Sequence, residues 1–136
     1  MNWYKKAQED QDQEEYKDGT LEEDLPKKNK AGDCYMVSAK YLENEYFKGN
    51  KNLVLVHGEV EGQGAIRGLR YGHAWVENGD MVIDKSNGKN LEIPKVIYYS
   101  IGNIKPNEVF KYNYEQMLKK TLESGHWGPW DLKTRL

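Results

Sequence analysis

Apolar positions recur at helical spacing in the segment that follows Cys34. They continue to about Phe47, and the chain then reaches Gly49 and Asn50, a pair typical of helix ends. Asp33, directly before the cysteine, is a favourable N-cap residue. The pattern therefore predicts one helix with Cys34 in its first turn.

Short apolar runs separated by turn signals predict an antiparallel sheet after this helix. The predicted strands lie at 53–60, 69–77, 81–84 and 109–112. The first is apolar on both faces, which is typical of a strand covered on both sides. Asn78-Gly79 is a strong hairpin signal between the second and third strands. Pro94 makes the apolar segment 91–99 irregular or an edge, and 114–123 predicts a C-terminal helix.

Residues 1–30 differ in composition from the rest of the chain. An unbroken polar run extends from Gln8 to Glu15, and such a run buries little apolar surface. We interpret 1–30 as a polar leader, either disordered or loosely docked, with a partner-binding arm or a flap over the site as alternatives. Residues 31–136 suffice for a single domain with one core. The predicted fold class is α+β, with the Cys34 helix packed on the sheet.

Charge and composition narrow the function classes. The net charge is −2 and the 20 Lys and Arg residues are scattered, so no nucleic-acid partner is expected. No apolar run approaches the roughly 20 residues that span a bilayer, so no membrane partner is expected. The N-terminus has no apolar stretch typical of a secretory signal. A single cysteine excludes an internal disulfide and favours a cytoplasmic protein.

The hairpin signal also predicts which side chains share a face. With a type I′ turn at 78–79, His73 lies directly opposite Asp84, and Trp75 lies opposite an apolar valine. Opposed residues project from one face with Cβ atoms roughly 4.5–5.5 Å apart. The register therefore predicts an imidazole beside a carboxylate, and we expect the Cys34 helix to cover this face.

These three residue types together indicate a catalytic triad. The first turn of a helix favours a thiolate at Cys34, because unpaired N–H groups and the positive dipole end lie there. His73 would take the thiol proton, and Asp84 would orient the ring. The competing interpretations are a small buried cysteine and a structural His–Asp pair. The spacing matches no zinc signature, so neither metal nor cofactor is expected.

The order of these motifs resembles that of a known superfamily. Gly-Asp-Cys at a helix start precedes Tyr-Gly-His-Ala-Trp-Val-Glu and Val-Ile-Asp on successive strands. Over about residues 31–88 this resembles the papain-like cysteine protease superfamily, in the layout of its transglutaminase-like and NlpC-like branches. The resemblance implies a papain-like core and acyl chemistry through a thioester. The whole chain is also similar to small phage-encoded proteins, which implies no function.

We therefore predict a cysteine-dependent hydrolase that cleaves an amide or isopeptide bond through Cys34, His73 and Asp84. Its substrate would be a peptide, a protein or a small amide. Two alternatives stay open at this point. One is a transglutaminase-like acyltransferase or deamidase on the same triad. The other is a catalytically inactive papain-like binding module with an aromatic tail as its interface.

The oxyanion donor is the least defined part of this site. Papain-like enzymes often carry a Gln shortly before the cysteine, and residues 27–30 contain none. Asn29 and Gln63 are the side-chain candidates, and the backbone N–H of Cys34 is a further contributor.

The remaining candidates surround the predicted triad. The turn at 86–88 is expected to hold Asp84 through its hydrogen bonds. His57 is interpreted as a polar residue at a strand end, and His126 belongs to an aromatic loop at 125–130 that closes the core or lines a pocket. The substrate-cleft candidates are Asp33, Tyr35, Tyr71, Trp75 and Asn87.

Overall fold

A five-stranded antiparallel sheet organises residues 33–133, the part of the chain that the computed structural model describes. Its strand order is β4-β3-β2-β1-β5. The elements, in chain order, are α1 (Asp33–Phe47), β1 (Val54–Glu61), β2 (Arg70–Asn78), β3 (Met81–Asp84), β4 (Leu91–Pro94), α2 (Lys95–Ile101), β5 (Phe110–Tyr112) and α3 (Tyr114–Ser124). The predicted α+β class is confirmed. The predicted leader, 1–30, lies outside the described residues.

The strands and the two long helices lie within one residue of their predicted bounds. The segment 91–99, predicted to be irregular or an edge, contains the edge strand β4 and most of α2, and only the helix was not predicted. Pro94 immediately precedes α2, a position where a proline costs no helical hydrogen bond. No helix between residues 33 and 133 has both the length and the apolar content to cross a membrane.

One face of the sheet packs against α1. Ala39 and Leu42 of the helix form a buried cluster with Leu55, Val76 and Ile83 of the three inner strands. These side chains alternate with those of the opposite face, as the pleat of a strand requires. The packing of these apolar side chains therefore positions α1, and with it its N-terminal end, against the sheet.

The opposite face packs against α2. Trp75 and Val82 lie there with Tyr98 and Tyr99 of that helix. The prediction that the Cys34 helix covers this face was wrong. Both faces of the hairpin are apolar, so alternation alone does not determine which helix covers which face.

The hairpin turn lies one residue later than predicted. Asn78 pairs with Met81, so Gly79 and Asp80 form the two-residue loop. Gly79 has a φ of 61°, and Asp80 is absent from the positive-φ residues of the described chain. Positive φ at the first loop position alone fits a type II′ turn rather than type I′, because glycine adopts it without a steric cost.

This change shifts the β2–β3 pairing by two residues. Val76 pairs with Ile83, so continuing the register would place Asp84 opposite Trp75 rather than His73. The direct opposition of His73 and Asp84 was therefore a wrong prediction. A shift of two preserves the face of every side chain, so His73 and Asp84 remain diagonal neighbours on one face.

The N-terminus of α3 is closed by a capping box. The Asn113 side chain accepts a hydrogen bond from the Gln116 backbone N–H at 2.8 Å, and the Gln116 side chain accepts from the Asn113 N–H at 2.9 Å. We expect Asn113→Ala to lower the free energy of unfolding by about 1 kcal/mol, because the Gln116 backbone N–H loses its acceptor. Urea denaturation measures the change. Asn113→Ser, which retains a capping oxygen, is the control and should lose less; equal losses for Ala and Ser would contradict the capping role.

Candidate active site

The Asp84 carboxylate is fully buried at the end of β3 and is held by four residues. Its Oδ2 contacts His73 Nε2 at 3.0 Å, Tyr98 Oη at 2.8 Å and Lys89 Nζ at 3.2 Å. Its Oδ1 accepts from the Ser86 backbone N–H at 3.0 Å and from the Ser86 hydroxyl at 2.6 Å. The predicted hydrogen bonding of this carboxylate by the 86–88 turn is confirmed through Ser86.

These contacts determine the ionisation of Asp84. Burial opposes the charged form, but the hydrogen bond and charge of His73, the charge of Lys89 and the Ser86 hydrogen bonds outweigh it. The pKa of Asp84 is therefore held well below its usual range. An ionised carboxylate only accepts hydrogen bonds, so Nε2 of His73 carries a proton and Nδ1 is the nitrogen left to act as a base.

Aromatic rings fix the plane of the His73 imidazole. The Tyr71 ring meets it edge-on at a centroid distance of 6.1 Å, and the Trp75 ring stacks beside it at 6.2 Å. Trp75 is fully buried, and its Nε1 donates to Glu77 Oε2 at 3.0 Å. Trp75 therefore supports the imidazole from within the core and does not line a cleft, contrary to the sequence prediction.

A second buried carboxylate anchors this supporting layer. Glu77 accepts from Tyr99 Oη at 2.6 Å, in addition to Trp75. The neighbouring Tyr98 donates to Asp84. Two consecutive tyrosines of α2 thus bind two carboxylates of the same sheet face. No pattern in the sequence indicated this arrangement, because α2 itself was not predicted.

Cys34 lies beside the strand that carries His73. It packs against Ala74, the next residue of β2, and the interaction of the thiol with the Ala74 backbone lowers its pKa. Backbone N–H groups point along the plane of a sheet, so this interaction draws the sulfur toward the edge of β2. The β2–β3 ladder stops at Val76, which opens this edge to α1. Cys34 therefore contacts β2, although its helix, contrary to the prediction, does not cover the sheet face that carries His73.

The thiol itself is almost completely covered, with 4% of Cys34 exposed. Burial raises its pKa to about 12, and the charges of Asp33 and Asp84 act in the same direction. The Ala74 hydrogen bond and the Lys89 charge act in the opposite direction. The sequence predicted a thiolate favoured by the helix N-terminus, but burial outweighs that effect and the resting thiol is protonated.

Comparison of the chain with protein-family models, curated proteins and solved structures gives no match. The papain-like arrangement thus stays an expectation from motif order. The chemistry of the site depends on the contacts of the described side chains.

Of the two oxyanion candidates, Gln63 lies within the described residues, and its amide is bound to backbone carbonyls. Gln63 donates through Nε2 to the backbone carbonyls of Glu61 at 3.2 Å and Ile101 at 2.9 Å. Both N–H groups of its amide are thereby engaged in holding the 63–69 loop to the end of α2. Asn29 lies outside the described residues. The backbone N–H of Cys34 stays the predicted contributor.

The other cleft candidates take different positions around Cys34. Asp33 begins α1, where its charge acts on the thiol. Tyr35 is buried in one cluster with Cys34. Asn87 occupies the exposed turn after β3 with a φ of 54°, a conformation that asparagine tolerates better than most residues. Tyr71 is half-buried beside His73, so part of its side chain stays exposed next to the imidazole.

His57 lies inside β1 rather than at its end, which corrects the sequence prediction. It is fully buried, and neither ring nitrogen has a hydrogen-bond partner among the described residues. The rings of Tyr35, Trp130 and Tyr112 surround it at centroid distances of 4.9, 5.0 and 5.1 Å. His57 is two residues from Leu55, so both side chains project from the same apolar side of the strand. This spacing was the sequence signal for the burial of His57.

A groove of about 650 Å³ opens beside α2, where Lys95, Tyr99 and Lys111 contribute to its lining. Cys34 and His73 do not line it. A substrate therefore does not reach the thiol through this groove, and access to Cys34 requires movement of its cover. Within residues 33–133, no three His, Cys, Asp or Glu side chains are grouped to hold a metal ion.

Proposed function

We propose that this protein is a cysteine-dependent hydrolase with a papain-like core that cleaves an amide or isopeptide bond. The observation that carries the proposal is the buried contact of 3.0 Å between His73 Nε2 and Asp84 Oδ2. His73 lies on β2, directly before Ala74, the residue that the Cys34 thiol contacts. An oriented base next in sequence to the residue that the thiol contacts supports nucleophilic catalysis by cysteine.

The reaction begins with transfer of the Cys34 proton to Nδ1 of His73. The sulfur then bonds to the substrate carbonyl carbon, and the carbonyl electron pair moves onto oxygen. As the tetrahedral intermediate collapses, the C–N bond breaks and His73 gives its proton to the leaving amine. Water then attacks the thioester with His73 as base, which releases the carboxylic acid and restores the thiol.

The high thiol pKa makes this proposal depend on His73. A thiol that titrates at about 12 is a weak nucleophile at neutral pH without a base. Asp84 keeps the ring in the tautomer that presents Nδ1 as an acceptor. Lys89, 3.2 Å from Asp84, carries a charge that lowers the thiol pKa and so assists ionisation.

Alkylation of Cys34 by iodoacetamide tests this dependence. We expect His73→Gln to slow alkylation at pH 7 by at least about tenfold, because Gln donates to Asp84 but does not accept the thiol proton. Mass spectrometry measures the labelling rate in the full chain. Cys34 is the only cysteine, so Cys34→Ser is a complete blank.

Equal labelling rates for the wild type and His73→Gln would contradict the hydrolase proposal. They would favour the second candidate, a catalytically inactive binding module, which is supported by the 4% exposure of Cys34 and its raised pKa. If His73 proves necessary, products formed with and without an added amine distinguish hydrolysis from acyl transfer. A new amide in place of the free acid would identify the acyltransferase alternative.

A further inference from the structure

A C-terminal segment seals His57 inside the protein. We call residues 125–131 the strap. A Cβ atom built on Gly128 would lie 2.7 Å from His57 Cε1, so the strap backbone rests directly on the imidazole. The Trp130 ring covers another side of it at 5.0 Å. Glycine is required at 128 on two grounds, this close approach and its φ of 124°.

The buried imidazole has no hydrogen-bond partner among the described residues. Both ring nitrogens of His57 are buried without a hydrogen bond. A buried polar group left unpaired costs about 1–3 kcal/mol. Opening the strap would hydrate these nitrogens, so the closed state carries a penalty that the open state lacks.

The strap covers the thiol cluster as well as His57. Trp127 packs against the buried group formed by Cys34, Tyr35 and Ala74. Tyr35 belongs to this group and also contacts the His57 ring edge-on. One segment therefore packs against both the buried imidazole and the cluster that contains the proposed nucleophile.

Polar contacts that hold the strap lie at its two ends. Asp131 accepts from Tyr112 Oη at 2.6 Å and pairs with Lys120 at 3.2 Å. At the other end, the His126 N–H donates to Ser124 Oγ at 3.2 Å, and Trp130 Nε1 donates to the same oxygen at 3.1 Å. The middle of the strap contacts the core through rings and a glycine, so it can separate without breaking a backbone ladder.

We propose that the strap is an acid-opened lid, in which protonation of His57 releases the strap and thereby uncovers Cys34. The significance of the uncovered thiol rests on the proposed hydrolase function. The lid itself depends only on the contacts of His57 and the strap.

The groups facing His57 set the direction of the pH effect. Tyr35 of α1 and Tyr112 of β5 have pKa values raised by burial and stay neutral, and Asp131 of the strap is the facing charge. Burial lowers the pKa of His57 from 6.5 to about 4, against the opposing charge of Asp131. The closed state thus binds a proton less readily than the open one.

Linkage then gives the size of the effect. Above pH 6.5 both states hold a neutral imidazole, and pH does not favour opening. Between 6.5 and 4 only the open state gains the proton, so opening becomes more favourable as the pH falls. From pH 8 to pH 5 the open-to-closed ratio rises about 30-fold by this linkage.

Hydrogen exchange of the strap amides in the full chain tests the lid. After correction for intrinsic exchange, wild-type exchange should rise about 30-fold from pH 8 to pH 5. His57→Phe keeps an aromatic ring in the box but has no titrating group, so its strap should show no such rise. A wild-type rise no larger than that of His57→Phe overturns the proposal.

The link to the thiol has its own measurement. A neutral pyridyl disulfide reports Cys34 accessibility at both pH values, and the wild-type rate divided by the His57→Phe rate removes the intrinsic pH dependence of the thiol. This ratio should also rise about 30-fold at pH 5. Increased strap exchange with a constant ratio would overturn the coupling to Cys34.

A second variant tests the proposal even if the His57→Phe protein does not fold. Gly128→Ala should displace the strap at every pH, because its Cβ meets the imidazole. Rapid strap exchange at both pH 8 and pH 5 is expected, and protection equal to wild type would contradict the contact. Failure of the His73→Gln test leaves the strap measurement unaffected, so the two proposals fail separately.

Discussion

Replacing Asp84 with alanine is expected to lower the free energy of unfolding by about 3–5 kcal/mol. The substitution removes the acceptor shared by His73, Tyr98, Lys89 and Ser86, all of which lose a partner in or beside the core. Urea unfolding at pH 7 measures the loss. A loss below about 1 kcal/mol would show that these donors find other partners or water.

Asp84→Asn is the matched control for charge. It has nearly the same volume and retains one oxygen acceptor, so its loss should be smaller than that of the alanine variant. The folded pKa of Asp84 lies below the ordinary value of 3.8, so its ionisation stabilises the fold fully above that value and progressively less below it. The stability gap between wild type and Asp84→Asn should therefore narrow in acid. A gap independent of pH would exclude the charge as its origin.

Trp75→Ala is expected to cost a similar amount, about 3–5 kcal/mol, because a fully buried indole is replaced by a cavity. The cavity lies between β2 and α2 and borders His73. Chemical denaturation measures the stability, and iodoacetamide labelling should slow as the imidazole loses its neighbour.

Trp75→Phe separates packing from hydrogen bonding. It keeps an aromatic ring beside His73 but removes the hydrogen-bond donor to Glu77. The Glu77 carboxylate still accepts the hydrogen bond from Tyr99. We expect a loss of about 1.5–3 kcal/mol, the usual contribution of a hydrogen bond to a charged group. If Trp75→Phe were as unstable as Trp75→Ala, the hydrogen bond rather than the ring would dominate.

The local elements of this fold were predictable from the sequence because their signals are local. Helical spacing after Cys34 and the apolar run of β1 each predicted an element within one residue of its bounds. The existence of the hairpin was predictable, but the register of its two strands was not. Asn78-Gly79 and Gly79-Asp80 both make two-residue loops, and the strands beyond them are apolar in either pairing.

The environment of the site was less predictable because it depends on distant contacts. Tyr98 reaches Asp84 only because α2 forms, and the β-branched and aromatic residues of α2 do not favour a helix. The carboxylates bound by Tyr98 and Tyr99 supply the tertiary contacts that offset this propensity. The raised pKa of Cys34 likewise reflects burial, which the helix position alone does not reveal.

The diagonal relation between His73 and Asp84 has a consequence for recognising sites of this kind. Hairpins whose turns differ by one position can build the same imidazole–carboxylate contact, provided that the loop length is kept. A sequence template that requires the two residues to be directly opposed would reject this chain. A template that accepts either the opposed or the diagonal position on one face would retain it, even where turn sequences have diverged.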